Sequence, residues 1–105
     1  MRPKPDCLDT AQLESALQKL PGWQLQEGKL FKQYRFEDFQ SAFAFMTQVA
    51  ALAEAQDHHP EWFNVYATLR VQLVTHEAGG ITERDVRLAR SMEALLAGDS
   101  EGCSD

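Results

Sequence analysis

The sequence predicts a single α+β domain, an antiparallel four-stranded sheet with helices packed on one face. Three observations predict it. The chain has 105 residues, the length of one domain with one modest core. Helical and strand periodicities succeed one another in the order α-β-β-α-β(-β)-α, the last β segment being one bent strand or two. The strand-like segments are joined pairwise by short connections, so neighbours run antiparallel while the helices segregate to one side.

The first helix spans about Asp9 to Leu20. Asp9 is its N-cap with Gln12 at N3, and Leu8 and Leu13 occupy the positions of a hydrophobic staple. Leu13, Ala16, Leu17 and Leu20 share a face, and Pro21-Gly22 ends the helix. Trp23–Gln26 and Leu30–Phe36 form a hairpin around a three-residue loop, Glu27-Gly28-Lys29, whose glycine supplies a positive φ. The longest helix runs from Glu37 to about Gln56, with Glu37 and Asp38 in its first turn facing the positive end of the helix dipole. Its apolar stripe is Phe39, Ala42, Phe43, Met46, Val49, Ala50 and Ala53. Phe45 and Leu52 lie off that stripe, as extra core contacts or as a second buried side against a partner chain.

Pro60 forces the helix to stop before it, so His58 and His59 stand at the exit. Phe63 to about Thr75 then alternates, with Val65, Ala67, Leu69, Val71 and Leu73 on one parity and Asn64, Thr68, Arg70 and Gln72 on the other. That is the period of strands with one buried face. It is long for one strand, and a turn near Tyr66–Thr68 divides it if the sheet has four. After a connection through His76–Gly80, Thr82 caps the last helix with Asp85 at N3 and Ile81 and Val86 as the staple. Val86, Ala89, Met92, Leu95 and Leu96 face the core, and Gly98 ends the helix. The termini, about 1–6 and 98–105, read as loose from their Pro, Gly, Ser and Asp content.

Composition excludes several classes. The formal net charge is −6, and no Lys/Arg cluster offers a track for phosphates, so direct nucleic-acid binding is not expected. No window is long and apolar enough for a bilayer, and Met-Arg-Pro-Lys-Pro-Asp is not a leader, so the expected location is cytoplasmic. Cys7 and Cys103 lack CxxC spacing. A disulfide between them is conceivable, but two isolated cysteines in such a chain fit a reducing compartment. There is no GxSxG and no glycine-rich phosphate loop.

What remains is acid/base chemistry. All three histidines, His58, His59 and His76, fall at the two ends of the one β segment. Imidazole titrates closest to neutrality, so such a cluster suits proton transfer. Scattered histidines are ordinarily polar or capping residues; their concentration here argues otherwise. Adjacent His58 and His59 diverge in an extended segment, which disfavours a shared metal, and no ligand spacing supports one; no metal and no cofactor is expected. Glu54 and Asp57 are three apart at the helix end, beside His58, where a carboxylate can hold an imidazole tautomer, or they are a solvated helix end. Trp62 can wall a flat heterocycle by stacking, Phe63 reads as core, and Pro60 fixes the exit angle.

The string Asp57-His58-His59-Pro60-Glu61-Trp62-Phe63-Asn64-Val65-Tyr66, followed by Thr75-His76-Glu77-Ala78-Gly79-Gly80-Ile81-Thr82-Glu83-Arg84-Asp85, resembles the signature of the pterin-4a-carbinolamine dehydratase family. Phe36-Glu37-Asp38-Phe39 and the Trp23 hairpin fit as well, and the resemblance covers about Leu8 to Leu96. It implies dehydration of 4a-hydroxytetrahydropterin to the quinonoid dihydropterin, which recycles the cofactor of aromatic amino acid hydroxylases. It implies His58, His59 and His76 as the active-site histidines, with Trp62, Glu54, Asp57 and Pro60 lining or supporting them. It further implies a homodimer or homotetramer. Two alternatives stand beside it: a binding module or transcriptional cofactor docking through the long helix, and a related pterin reaction such as one in molybdopterin metabolism.

Overall fold

The computed structural model describes residues 6–98. The loose ends expected at about 1–6 and 98–105 fall almost wholly outside those residues. Along the chain come α1 (Thr10–Gln18), β1 (Gln24–Gln26), β2 (Lys29–Arg35), α2 (Phe39–Gln56), β3 (Glu61–Val65), β4 (Thr68–Leu73), a 3-10 turn (His76–Ala78) and α3 (Glu83–Gly98). The sheet is antiparallel throughout, in the order β1-β2-β4-β3. The expected α+β architecture is present.

One face of the sheet is the core face. Leu30, Leu69, Val71 and Leu73 are fully buried there against Val49 of α2 and Val86, Leu88 and Met92 of α3. Each such side chain contributes about 1.5–3 kcal/mol by leaving water. A polar clasp closes the far end of this layer. Trp23 Nε1, Lys32 Nζ and Tyr34 Oη all donate to Glu93 Oε2 of α3, at 3.0, 2.8 and 2.7 Å. Burial alone would raise the Glu93 carboxyl, but the bonds from Lys32, Tyr34 and Trp23 outweigh it and hold it below the usual carboxylate range. Burial, with Glu93 as acceptor, pushes the Tyr34 phenol far up, so it stays a donor.

The local signals place the elements with instructive differences. Asp9 and Gln12 form the expected reciprocal capping box, but α1 ends at Gln18, before Pro21-Gly22. The first hairpin turns on two residues, not three: Glu27 and Gly28 have φ of 54° and 78°. Two positive φ values give a turn whose twist matches the paired strands. Asp38 is the N-cap of α2, accepting from Ser41 N at 2.8 Å, so Glu37 and Asp38 precede the first turn instead of lying in it. The α2 stripe is also rotated. Ala42, Phe45, Val49 and Ala53 are buried, while Phe39 and Phe43 are 45% and 53% exposed. Phe45 therefore belongs to the core, and the apolar surface lies elsewhere on the helix. In α3, Leu88 is fully buried where Leu96 had been expected, and Leu96 is exposed.

The long alternating segment is two strands. Tyr66, at φ 52°, starts the turn between β3 and β4. That turn resets the parity. Trp62 pairs with Val71 and Asn64 with Leu69, so these two point to the core side, and Phe63 and Val65 are exposed on the outer face. Phe63 is thus not core.

Candidate active site

The site is built where α2 ends, β4 ends and α3 begins. Asp57 closes α2 in the left-handed conformation, φ 53° and ψ 44°. Asp57 N donates to Glu54 O and His58 N to Ala53 O, the paired bonds of a Schellman ending. This reversal drops His58 into the protein, 8% exposed, and leaves His59 outside. Pro60 then leads into β3.

Inside, one carboxylate receives both ends of the segment. Asp85 is fully buried. Its Oδ1 accepts from His58 Nε2 at 2.6 Å. Its Oδ2 accepts from Thr75 Oγ1 at 2.8 Å and from Thr82 N at 2.9 Å. Thr75 spends its only hydroxyl proton on Asp85, so in the 2.7 Å contact between Thr75 and Thr82 it is Thr82 Oγ1 that donates. Thr82 Oγ1 in turn accepts from Arg84 N at 3.2 Å. Thr75 also bridges to Gly80 through reciprocal backbone bonds, closing the loop that presents His76. Asp85 thus caps α3, anchors His58, and fixes the residue before His76.

The other two histidines have their own carboxylates. His59 Nε2 donates to Glu54 Oε2 at 2.7 Å. His76 Nε2 donates to Glu61 Oε2 at 2.8 Å. Both pairs are open to water, the His59 and His76 side chains being 57% and 75% exposed. Glu61 Oε1 accepts from Lys29 Nζ at 2.6 Å. Lys29 first, then His76, keeps the Glu61 carboxyl below the usual range despite a small opposing effect of burial.

A hollow of about 350 Å³ gathers these groups, lined by Asp57, His58, His59, Val74, Thr75, His76, Glu77 and Arg84. Its volume suits a small bicyclic molecule. Arg84 Nη1 donates to Glu77 Oε1 at 2.6 Å, tying α3 to the turn that carries His76. A carboxylate can only accept, so each neutral imidazole carries its proton on Nε2. In all three rings Nδ1 has no protein partner among the described residues. The arrangement can therefore offer lone pairs to a substrate proton, or N–H donors once a ring is charged. Among the described residues no three of His, Cys, Asp and Glu converge as metal ligands, because each imidazole is turned to a separate carboxylate.

Two placements depart from the expectations. Glu54 meets His59, not His58. Trp62 does not line the histidine hollow; it packs against the core and borders a second hollow of about 520 Å³ on the outer sheet face, with Glu61, Phe63 and Arg70. That hollow is larger but has no imidazole in its lining. Pro60 lines neither. Sequence reasoning also missed the partner roles of Asp85, Glu61 and Lys29. Asp85 was visible as a capping residue, but nothing local marks its second oxygen, and its bond to His58 spans 27 positions.

Known proteins match this chain over most of its length. A family model described as pterin 4 alpha carbinolamine dehydratase matches residues 6–95. A protein of Prochlorococcus marinus (strain MIT 9303), named "Putative pterin-4-alpha-carbinolamine dehydratase", is 50% identical over 91 residues, 87% of this chain and 95% of that protein. One of the same name from Solibacter usitatus (strain Ellin6076) is 50% identical over 91 residues, 87% of this chain and 96% of its own. A crystal structure described as a transcriptional coactivator/pterin dehydratase from Brucella melitensis superposes with a TM-score of 0.83 at 43% identity, covering 86% of this chain and 98% of that one. The chain belongs to the pterin-4a-carbinolamine dehydratase family, whose named activity is that of a lyase.

Proposed function

We propose that this protein dehydrates 4a-hydroxytetrahydropterin to the quinonoid dihydropterin by histidine acid/base catalysis. It would do so in the cytoplasm, returning the pterin cofactor consumed by aromatic amino acid hydroxylases. The observation that carries the reading is the set of three imidazoles around one hollow, each with Nε2 committed to a carboxylate and Nδ1 left without a partner among the described residues.

The reaction breaks the C4a–O bond, and the electron pair leaves with oxygen. A charged imidazole gives its proton to that oxygen, which departs as water. A neutral imidazole takes the proton of the adjacent ring N–H, whose electrons form the new C=N bond. The two protein groups exchange one proton each, so water restores them between turnovers. We assign these transfers to His59 and His76, the two exposed rings. His58, closed from behind by Asp85, forms the wall that shapes the hollow. Each positioned acid or base is worth about 10²–10⁴-fold in rate. Stopped-flow absorbance on 4a-hydroxytetrahydropterin, generated in place by a hydroxylase, tests the reading. Acceleration that is lost in His59→Ala and His76→Ala supports it, and equal rates with and without the folded protein overturn it.

A second reading concerns assembly. Phe39 and Phe43 are exposed side by side on α2, their rings 5.6 Å apart. Such a pair supports a homo-oligomer, or a docking surface for another protein, through α2. Light scattering on wild type and Phe43→Glu tests it: a shift to monomer in the variant supports an α2 interface, and an identical mass in both removes it.

A further inference from the structure

His76 differs from the other two histidines in how its carboxylate is held. Glu54, which meets His59, is 78% exposed, and no further side chain among the described residues fixes it. Glu61 is fixed. It stands at the start of the edge strand β3, paired in register with Gln72 of β4, whose other neighbour is Phe31 of β2. Lys29 at the start of β2 reaches past β4 to place its ammonium 2.6 Å from Glu61 Oε1. A chain Lys29–Glu61–His76 therefore crosses three strands and ends on Nε2 of the imidazole. Ion pairs as open as these add little stability. What the chain supplies is orientation.

The surroundings leave Glu61 as the group that decides the ring's state. On its own turn His76 has Glu77, which Arg84 of α3 engages at 2.6 Å. Across the hollow stand Asp57, His59 and His58, the last already bound to Asp85. From the sheet comes Glu61 with Lys29 behind it. The two oxygens of Glu61 divide between them, Oε1 to Lys29 and Oε2 to His76. An ionised carboxylate accepts only, so the neutral ring must keep its hydrogen on Nε2 and present a lone pair on Nδ1.

We propose that Glu61 is a positioning residue for His76, holding the neutral ring with its proton on Nε2 so that Nδ1 meets the substrate proton, and that Lys29 fixes the carboxylate that does this. The inference rests on the acid/base reading above and extends it to a group that does not touch the substrate. When Nδ1 takes the proton, the charge on the ring is matched by Glu61, which remains ionised and accepts the same Nε2–H throughout. A glutamine at 61 has both a donor and an acceptor, and so enforces neither tautomer.

The test uses the full ¹⁵N-labelled chain and long-range ¹H–¹⁵N correlation of the imidazoles at about pH 8, above the usual histidine titration. Wild type is expected to show His76 protonated on Nε2. Glu61→Gln is expected to show averaged nitrogen shifts at His76 and unchanged ones at His58, which Asp85 holds; Lys29→Met, which releases Glu61 Oε1, is expected to move the His76 shifts part of the way, and wild-type shifts in that variant overturn the role of Lys29. In the dehydration assay Glu61→Gln should lower kcat by about tenfold or more with KM little changed, since positioning acts in the transition state. A His76 tautomer that is identical in wild type and Glu61→Gln, or a wild-type proton on Nδ1, overturns the proposal. A changed tautomer with unchanged kcat leaves the Glu61–His76 coupling standing and overturns the acid/base role of His76 instead.

Discussion

His58 with Asp85 and His76 with Glu61 are the same chemical pair in two settings. The first has a side-chain exposure of 9% and 0%, the second of 75% and 38%. Asp85 also binds a hydroxyl and a backbone N–H, so its loss would strand several buried polar groups. Glu61 faces water, and its removal would strand nothing. The buried pair is thus part of how the chain folds, and the exposed pair is free to serve chemistry. Asp85 brings the end of α2 and the end of β4 together, and in the proposed reaction Glu61 sets the ring of His76.

The contrast breaks most visibly at Asp85. Asp85→Ala should destabilise the fold by about 3–5 kcal/mol, the cost of opening a buried hydrogen-bonded pair, measured by urea unfolding. A loss near that of a surface change would erase the distinction between the pairs. Next comes Glu93, a carboxylate held by three donors far from the histidines. Glu93→Ala should cost about 1–3 kcal/mol, because the buried Tyr34 hydroxyl loses its acceptor. Its carboxyl lies below the ordinary range in the folded chain. Its stabilisation is therefore complete above the unfolded value of about 4.3 and is lost as pH falls below that toward the folded value. Glu93→Gln should flatten that acid limb, and an unaltered limb would assign it to other carboxylates. Glu54→Gln and Glu61→Gln should then change stability by no more than about 1 kcal/mol, with the same unfolding assay as the check. Smallest is Phe43→Glu, expected to leave the melting of the isolated chain within about 0.5 kcal/mol of wild type while altering its mass in solution.

What could be read from the sequence was local. Asp9 with Gln12 and Thr82 with Asp85 announce helix starts through bonds made within three or four residues. Pro60 announces the exit that separates His58 from His59. The phase of α2 could not be read, because Phe39, Phe43, Phe45 and Met46 make the helix apolar nearly all round, and the face that is buried depends on how it crosses the sheet. Parity failed at Val65 because a turn at Tyr66 intervenes, and alternation carries no register across a turn. The partners of the histidines were hidden for the same reason. Asp85 and Glu61 lie 27 and 15 positions from the rings they bind, and only the assembled sheet and helices bring them there. The histidines could be found as a cluster; their separate carboxylates could not.

The central claim is that the exposed imidazoles move the protons of a dehydration. The most direct measurement is the stopped-flow rate of 4a-hydroxytetrahydropterin dehydration with wild type, His59→Ala and His76→Ala, each shown to be folded. We expect a clear acceleration by wild type and a loss of about 10²-fold or more in each variant. Wild-type rates in both variants would contradict the claim and leave the histidine cluster as part of the fold alone.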